Sequence, residues 1–253
     1  MGDHLTLPAL DQAGFVVLDR DDRPCDPAEW TGLEYTGWRS SGITRFAPLT
    51  SYAGEVECNG FWNHTPPRPD KGGVWIPSQV LRAPTLARRA QEPGADVGRC
   101  RVVELQPNTY ADAVGNLHRD DNNRLNPTGS GWIVRGFLNL TDDAESMLLL
   151  RSDRMDPASE VRIPLPVGTR VVVDTQRLWH AVWHRGTAAR YGLVVSWESG
   201  PELADYVARH HGTSAVPQRP IDPDLVARAQ EELIRRIDER RRMEAALGGS
   251  VTG

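Results

Sequence analysis

The feature that most restricts the fold is a series of short apolar segments between residues 101 and 198. Turn residues such as the Pro-Val-Gly-Thr sequence at 166–169 separate these segments. The segments are 101–106, 132–140, 146–150, 161–165, 170–174, 179–184 and 191–197. Short strands at regular spacing predict an antiparallel barrel or a double-sheet jelly roll. No helical pattern separates them, which argues against a parallel α/β sheet.

The N-terminal third has a different texture. Residues 19–97 are punctuated by prolines and contain four tryptophans, too many large aromatics for a disordered linker. We therefore expect packed, irregular structure here, with one helix near residues 78–91. Before this region, the sequence predicts a short helix over 5–12 and a strand over 15–18.

The C-terminal tail, residues 222–247, has apolar residues at helical spacing and an aspartate that can cap its start. We predict a single domain over 1–221, followed by this helix packed on it. Within the domain, residues 1–100 form a covering region and residues 101–198 the β core. A dimer contact through the apolar stripe of the helix is the alternative, so a monomer and a homodimer both stay open.

Composition restricts the partners and the compartment. The chain has 253 residues and a formal net charge of −5, which gives no basic surface for nucleic acid. No apolar run is long enough to span a bilayer, and no secretory signal is visible. The three cysteines are widely spaced and odd in number, which is typical of a reducing cytoplasm.

Two short motifs carry candidate chemistry. His118 and Asp120 are two positions apart, so in extended backbone both side chains project to one face. His180 adds a second imidazole, and two histidines with one carboxylate are the facial triad that holds non-haem Fe(II). Arg190 supplies a planar cationic fork suited to a carboxylate. His184 and Asp121 are the alternative ligands.

The order of these residues resembles the Fe(II)/2-oxoglutarate-dependent dioxygenases, notably their prolyl-hydroxylase-like branch. That family has an HxD motif, a distal histidine and an arginine about ten residues later. The segment 168–182 resembles its distal-histidine region, and 190–197 resembles its arginine strand. The resemblance implies a mainly β fold: a double-stranded β-helix core, of the jelly-roll or cupin-like kind, with flanking helices.

The resemblance also implies a set of roles. His118, Asp120 and His180 would be the catalytic Fe(II) ligands, and 2-oxoglutarate and O2 would be the cosubstrates. The distal carboxylate of 2-oxoglutarate would bind Arg190, helped by the hydroxyl of Tyr110 or, as a poorer candidate, Ser196. Gly192 stands where some branches have a serine, so the hydroxyl partner stays open. Related halogenases lack the carboxylate ligand, so Asp120 favours hydroxylation, desaturation or another oxidation over halogenation.

The expected substrate is a small molecule such as a free amino acid or an amino-acid-derived metabolite. Guanidinium and amide groups near the first motif are suited to a substrate carboxylate, namely those of Arg119, Asn122, Arg124 and Arg135. The alternative is that these residues make local turns and surface ion pairs. A peptide or carrier-bound substrate and another cupin-type metalloenzyme, an isomerase or a ring-cleaving dioxygenase, also stay open.

Overall fold

The computed structural model describes residues 7–37, 43–127, 130–142 and 145–248. Strands make up most of its regular structure. In chain order they are β1 Phe15–Val17, β2 Thr36–Gly37, β3 Thr44–Pro48, β4 Thr50–Ser51, β5 Val74–Trp75, β6 Val97–Leu105, β7 Ile133–Asn139, β8 Met147–Arg151, β9 Glu160–Pro164, β10 Arg170–Val173, β11 Trp179–Trp183 and β12 Arg190–Glu198. The α-helices are α1 Ala28–Thr31, α2 Pro77–Arg82, α3 Pro84–Gln91, α4 Tyr110–Gly115, α5 Pro201–Arg209 and α6 Pro223–Gly248.

Two antiparallel sheets form the centre of the molecule. The larger has the strand order β1-β10-β7-β12-β6-β3-β2, and the smaller has the order β11-β8-β9. Strands β4 and β5 pair separately. Apart from the pairs β2-β3 and β8-β9, neighbours in the two central sheets are distant in sequence, as a jelly roll requires. All seven strands predicted for residues 101–198 are present, with ends shifted by a few residues, and the predicted mainly β fold is confirmed.

Aliphatic side chains fill part of the space between the sheets. In the larger sheet, β10 contributes Val171 and Val173 to this cluster, while Val172 between them belongs to the opposite face. In the smaller sheet, β8 contributes Leu148 and Leu150. This alternation buries one side chain in two from each strand between the sheets. The fold is thus a two-sheet β-helix with a continuous core at one end.

Helices and irregular segments cover the outer faces. Leu86 and Ala90 of α3 pack on the outside of the larger sheet, together with Trp30 from the N-terminal region. On the outside of the smaller sheet, Ala229 and Leu233 of α6 pack among side chains of α4 and β11. The C-terminal helix therefore contributes a buried apolar stripe to the domain. No helix in the described ranges is both long and apolar enough to cross a membrane.

The N-terminal third is more regular than its sequence suggests. Strand β3 pairs with β6 and extends the larger sheet, where only irregular structure was expected. The helix predicted over 78–91 is two helices, because Pro84 disfavours helical backbone at the residue before it. Near the start only a 3₁₀ turn, Pro8–Leu10, forms, and residues 5 and 6 of the predicted helix lie outside the described ranges.

Candidate metal centre

The two predicted histidines meet across a short antiparallel bridge. The backbone amide of His118 donates to the carbonyl of His180 (3.2 Å), and that of His180 donates to the carbonyl of His118 (2.9 Å). The centroids of the two imidazole rings are 4.3 Å apart. The Asp120 amide donates to the carbonyl of Thr175 (3.0 Å), which fixes the carboxylate beside them. Each of the three residues offers a ligand atom, and these atoms lie within 4.8 Å of one another.

Hydrogen bonds fix the protonation of His118. Its Nδ1 lies 2.9 Å from the backbone carbonyl of Asn116, an acceptor, so Nδ1 carries the proton. In the neutral ring Nε2 therefore keeps its lone pair, the usual arrangement of a metal-binding histidine. The side chain of His118 is exposed, so the cluster opens to solvent on this side.

The carboxylate of Asp120 is held through one oxygen. Its Oδ2 accepts hydrogen bonds from Arg135 Nε (2.9 Å), Thr175 Oγ1 (3.1 Å) and Asn122 Nδ2 (3.5 Å). No described residue donates a hydrogen bond to the second carboxylate oxygen, Oδ1. One oxygen is therefore available as a monodentate ligand, because the hydrogen bonds to the other oxygen fix the orientation of the carboxylate.

Electrostatics keep both inner groups in the form that binds a cation. Burial works to raise the pKa of Asp120, but the positive charge of Arg135, with His180 and His118, holds that pKa well below its usual 3.8. Burial and the neighbouring His118 lower the pKa of His180 to about 3 against the opposing pull of Asp120. At neutral pH, Asp120 is ionised and His180 is neutral. A buried nitrogen of His180, Nδ1, has no hydrogen-bond partner in the described part of the chain.

A buried ion network supports the carboxylate from behind. Arg135 is fully buried and bonds to Asn122 (2.6 Å) and Ser196 in addition to Asp120. Its guanidinium lies 3.5 Å from Asp70, which Ser196 also contacts (2.8 Å). Because the guanidinium of Arg135 and both carboxylate oxygens of Asp70 have partners, this network can remain buried and rigid.

The two alternative ligands, His184 and Asp121, contact other residues. His184 is buried, and its Nδ1 lies 2.8 Å from Ser146 Oγ while its Nε2 lies 2.7 Å from the carbonyl of Ala188. Asp121 is exposed and pairs with Arg124 at 3.8 Å on the surface. The structure therefore brings together His118, Asp120 and His180, and it places the two alternatives outside the cluster.

Arg190 begins β12 on the face of the larger sheet that carries Ser196, six residues further along the same strand. Its side chain is buried. A Cβ at Gly192 would lie 3.3–3.4 Å from the guanidinium nitrogens, so the glycine leaves room beside them that a side chain would fill. Arg190 thus places a buried guanidinium on the inner face of the larger sheet, and its 2-oxoglutarate role stays a prediction.

Neither hydroxyl candidate lies beside Arg190. Tyr110 is on the outer face of the smaller sheet, where its hydroxyl donates to Glu160 (2.9 Å) and its ring packs on Trp183. Ser196 faces inward, but its hydroxyl is hydrogen-bonded to Arg135 and Asp70. It lies roughly 20 Å from Arg190 along the strand, at ~3.3 Å per residue. The prediction that the Tyr110 hydroxyl assists Arg190 is wrong, because helix α4 places Tyr110 on the outer face of the smaller sheet.

The predicted substrate residues also have other contacts. Arg119 lies over the indole ring of Trp179 at 4.8 Å on the outer surface, and Arg124 is exposed. Asn122 and Arg135 are fully buried, and both donate hydrogen bonds to the carboxylate of Asp120. As a set, these residues support the metal ligands or lie on the surface, and none presents an uncommitted group to a substrate.

Sequence reasoning missed Asp70, Thr175 and Arg99. Arg99 donates to Asp70 (2.9 Å) and extends the network along β6. The alternation of arginine with apolar residues over 99–103 indicates that one face of this strand is polar. Asp70 lies in the proline-rich region, and nothing in its local sequence indicates a partner far along the chain.

No protein-family model and no curated protein matches the chain. Solved structures do resemble it. An oxidoreductase of the 2OG-Fe(II) oxygenase family from Burkholderia pseudomallei is 14% identical, with 78% of this chain and 91% of that chain covered and a TM-score of 0.48. A prolyl-4-hydroxylase from Pseudomonas putida is 16% identical (77% and 97% covered, TM-score 0.38). The α-ketoglutarate-dependent epimerase SnoN from nogalamycin biosynthesis is 13% identical (87% and 95% covered, TM-score 0.40).

These neighbours include the family that the sequence motifs resemble. The three ligand side chains, the oriented carboxylate and the recessed arginine are the features that bear on that chemistry.

Proposed function

We propose that this chain is an Fe(II)- and 2-oxoglutarate-dependent oxygenase that hydroxylates a small molecule. The observation that carries the proposal is the cluster of His118, Asp120 and His180, with donor atoms within 4.8 Å and an inward arginine, Arg190, on the facing sheet. Two imidazoles and one carboxylate leave positions open on the metal, and the arginine is suited to the far carboxylate of a dicarboxylic cosubstrate.

The residues present fit the metal. His118 offers Nε2, Asp120 offers Oδ1, and His180 is neutral at physiological pH. Bound Fe(II) would supply the centre at which O2 converts 2-oxoglutarate into succinate and CO2 while one oxygen atom enters a C–H bond of the substrate. The chain's own contribution is orientation, because Arg135, Thr175 and the carbonyl of Asn116 hold two of the ligands in place.

Arg190 would bind and orient 2-oxoglutarate. Its burial increases the strength of a charge-assisted hydrogen bond, since little water competes for the guanidinium. Gly192 leaves the space in which a carboxylate can approach the fork. An isomerase or ring-cleaving enzyme on the same scaffold would not require this arginine.

We also propose a substrate that is a free amino acid or an amino-acid-derived metabolite, and a reducing cytoplasmic setting. The cysteines support the setting, since Cys25, Cys58 and Cys100 are all free. A peptide or carrier-bound substrate is the second candidate, and the exposed edge at His118 is the feature that favours it.

Anaerobic titration of the purified protein with Fe(II) and then 2-oxoglutarate tests the proposal. We expect a weak visible charge-transfer band in the wild type and none in His180→Ala, with the band retained in the matched variant His184→Ala. Iron binding without the band would indicate a different cupin-type metalloenzyme. No iron binding would show that the cluster is not a metal site.

A further inference from the structure

Arg101 is a half-buried arginine in the centre of β6 that has no anionic partner in the described part of the chain. Its guanidinium donates no hydrogen bond to those residues, and its Nε is buried without a partner. Its close contact is with an aromatic ring, since Cζ lies 4.8 Å from the centroid of Phe46. By contrast, the neighbouring Arg99 and Arg135 both pair with Asp70.

Strand register places Arg101 on the wall of the candidate metal centre. Phe137 of β7, Val194 of β12 and Arg101 lie directly opposite one another across three neighbouring strands, so all three project from one face. The ring centroid of Phe137 is 6.2 Å from that of His180. Arg101 begins two strands away, roughly 10 Å across the sheet. The backbone of Arg101 thus lies two strand spacings from that of Phe137 on the same face of the sheet, an interval that a small molecule can bridge.

The aspartates near Arg101 are paired with other arginines. Asp70 pairs with Arg99 and Arg135, and Asp120 pairs with Arg135. Burial and the two other arginines lower the pKa of Arg101 to about 10, which leaves it charged at neutral pH.

Glu57 lines the recess beside Arg101, but it makes no ion pair with that guanidinium. Its two carboxylate oxygens accept hydrogen bonds from the backbone amides of Tyr52 (3.2 Å) and Asn59 (2.7 Å). The carboxylate that shares the recess is therefore held by backbone amides and leaves the guanidinium of Arg101 without an ion pair among the described residues.

A structural role does not account for this arrangement. An arginine that only packs its stem against apolar surface places its charged head in bulk water. Here Nε is buried, and a buried donor without an acceptor destabilises the folded protein. A fully structural arginine in this interior is paired, as Arg99 and Arg135 show.

We propose that Arg101 binds a carboxylate of the primary substrate and thereby selects for an anionic small molecule. The proposal rests on the proposed function for the reacting end of that molecule. Arg101 is separate from the cosubstrate arginine, because Arg190 lies four residues from Val194 along β12, roughly 13 Å at ~3.3 Å per residue. One arginine would hold the cosubstrate, and the other would hold the substrate.

The first test uses acetate as the smallest carboxylate probe. Thermal unfolding of the protein saturated with Fe(II) and 2-oxoglutarate under anaerobic conditions is compared in sodium acetate and in sodium chloride of equal ionic strength. We expect acetate to raise the Tm of the wild type by about 2 °C or more. Arg101→Met and Arg101→Gln should lose this response, and the surface control Arg124→Met should keep it. An equal response in the Arg101 variants, or none in the wild type, overturns the proposal.

The second test separates the substrate from the cosubstrate. The dissociation constant of 2-oxoglutarate, measured by the visible band, should change less than twofold in Arg101→Gln and increase more than tenfold in Arg190→Met. A tenfold increase in Arg101→Gln would assign its guanidinium to 2-oxoglutarate and overturn the proposal. If no band forms in the wild type, the proposed function fails, and the acetate comparison on the metal-free protein still decides the anion site.

Discussion

The space between the two sheets has two halves that are built on opposite principles. Where β10 faces β8, the inward residues are aliphatic, such as Val171 and Leu148, and they pack into a dry cluster. Where β12 and β6 form the wall, the inward residues include Arg99, Arg101 and Arg190. Both halves have the same strand alternation. The difference therefore shows that the backbone fixes which positions face inward, and side-chain chemistry decides whether they stabilise the fold or bind ligands.

The two halves also differ in how they contribute to stability. Apolar burial is additive and tolerant of small changes, at ~25 cal/mol per Å². Buried ions instead depend on complete pairing, because desolvation of each charge costs several kcal/mol if its partner is lost. Substitutions of the ion-paired residues in the polar half should thus affect function and stability together, whereas substitutions in the apolar half should affect stability alone.

The largest expected effect is on iron binding. His180→Ala removes one of three ligands, and we expect iron affinity to fall by more than about 100-fold. The matched variant His184→Ala should keep iron affinity within a few-fold, while losing about 1–3 kcal/mol of stability because Ser146 and the carbonyl of Ala188 lose their partner. Metal analysis after gel filtration and chemical denaturation measure the two effects. The reverse result would make His184 the ligand.

The second effect concerns the buried ion network. Arg135→Met leaves Asp70 and Asp120 without a common cation, and we expect a loss of about 3–5 kcal/mol in the free energy of unfolding. Arg101→Met, which breaks no ion pair, should be neutral or stabilising in the absence of substrate. Equal destabilisation by the two variants in urea titrations would remove the distinction between a structural and a binding arginine.

The third prediction probes the apolar half. Leu148 is 1% exposed and packs between the sheets. Leu148→Ala should destabilise the protein by about 2–5 kcal/mol through lost contacts and the resulting cavity. Iron affinity of the folded protein should remain unchanged. A parallel loss of iron affinity at temperatures well below unfolding would show that the two halves are coupled.

The smallest effect is a dependence of stability on pH. The pKa of His180 is about 3 in the folded protein and 6.5 is its ordinary value, so the unfolded chain binds the proton first as the pH falls. This contribution to stability is complete above pH 6.5 and is lost as the pH falls toward 3. We expect the metal-free protein to lose about 1–2 kcal/mol more between pH 7 and pH 5 than His180→Gln does. Parallel pH profiles for the two proteins would contradict the buried, neutral state of His180.

Sequence patterns predicted the β core and the pair His118 and Asp120 because both depend on local spacing, and the motif order of the resembled family added His180, which does lie beside them. Alternation fixes inward positions within a strand, and His118 and Asp120 are two residues apart. The contacts of Tyr110 could not be predicted in this way, since helix α4 carries it behind the smaller sheet. The contacts of Asp70 and the position of Arg101 arise only when β6 pairs with β12 and the region around residue 70 packs on β6. Such pairings join residues far apart in sequence.

We propose that the polar half of the inter-sheet space binds iron and 2-oxoglutarate. Anomalous diffraction at the iron edge, from anaerobic crystals soaked with Fe(II) and 2-oxoglutarate, would locate both. We expect one iron peak among His118, Asp120 and His180, with the distal carboxylate of 2-oxoglutarate on Arg190. Iron at another position, or 2-oxoglutarate bound away from Arg190, would contradict it.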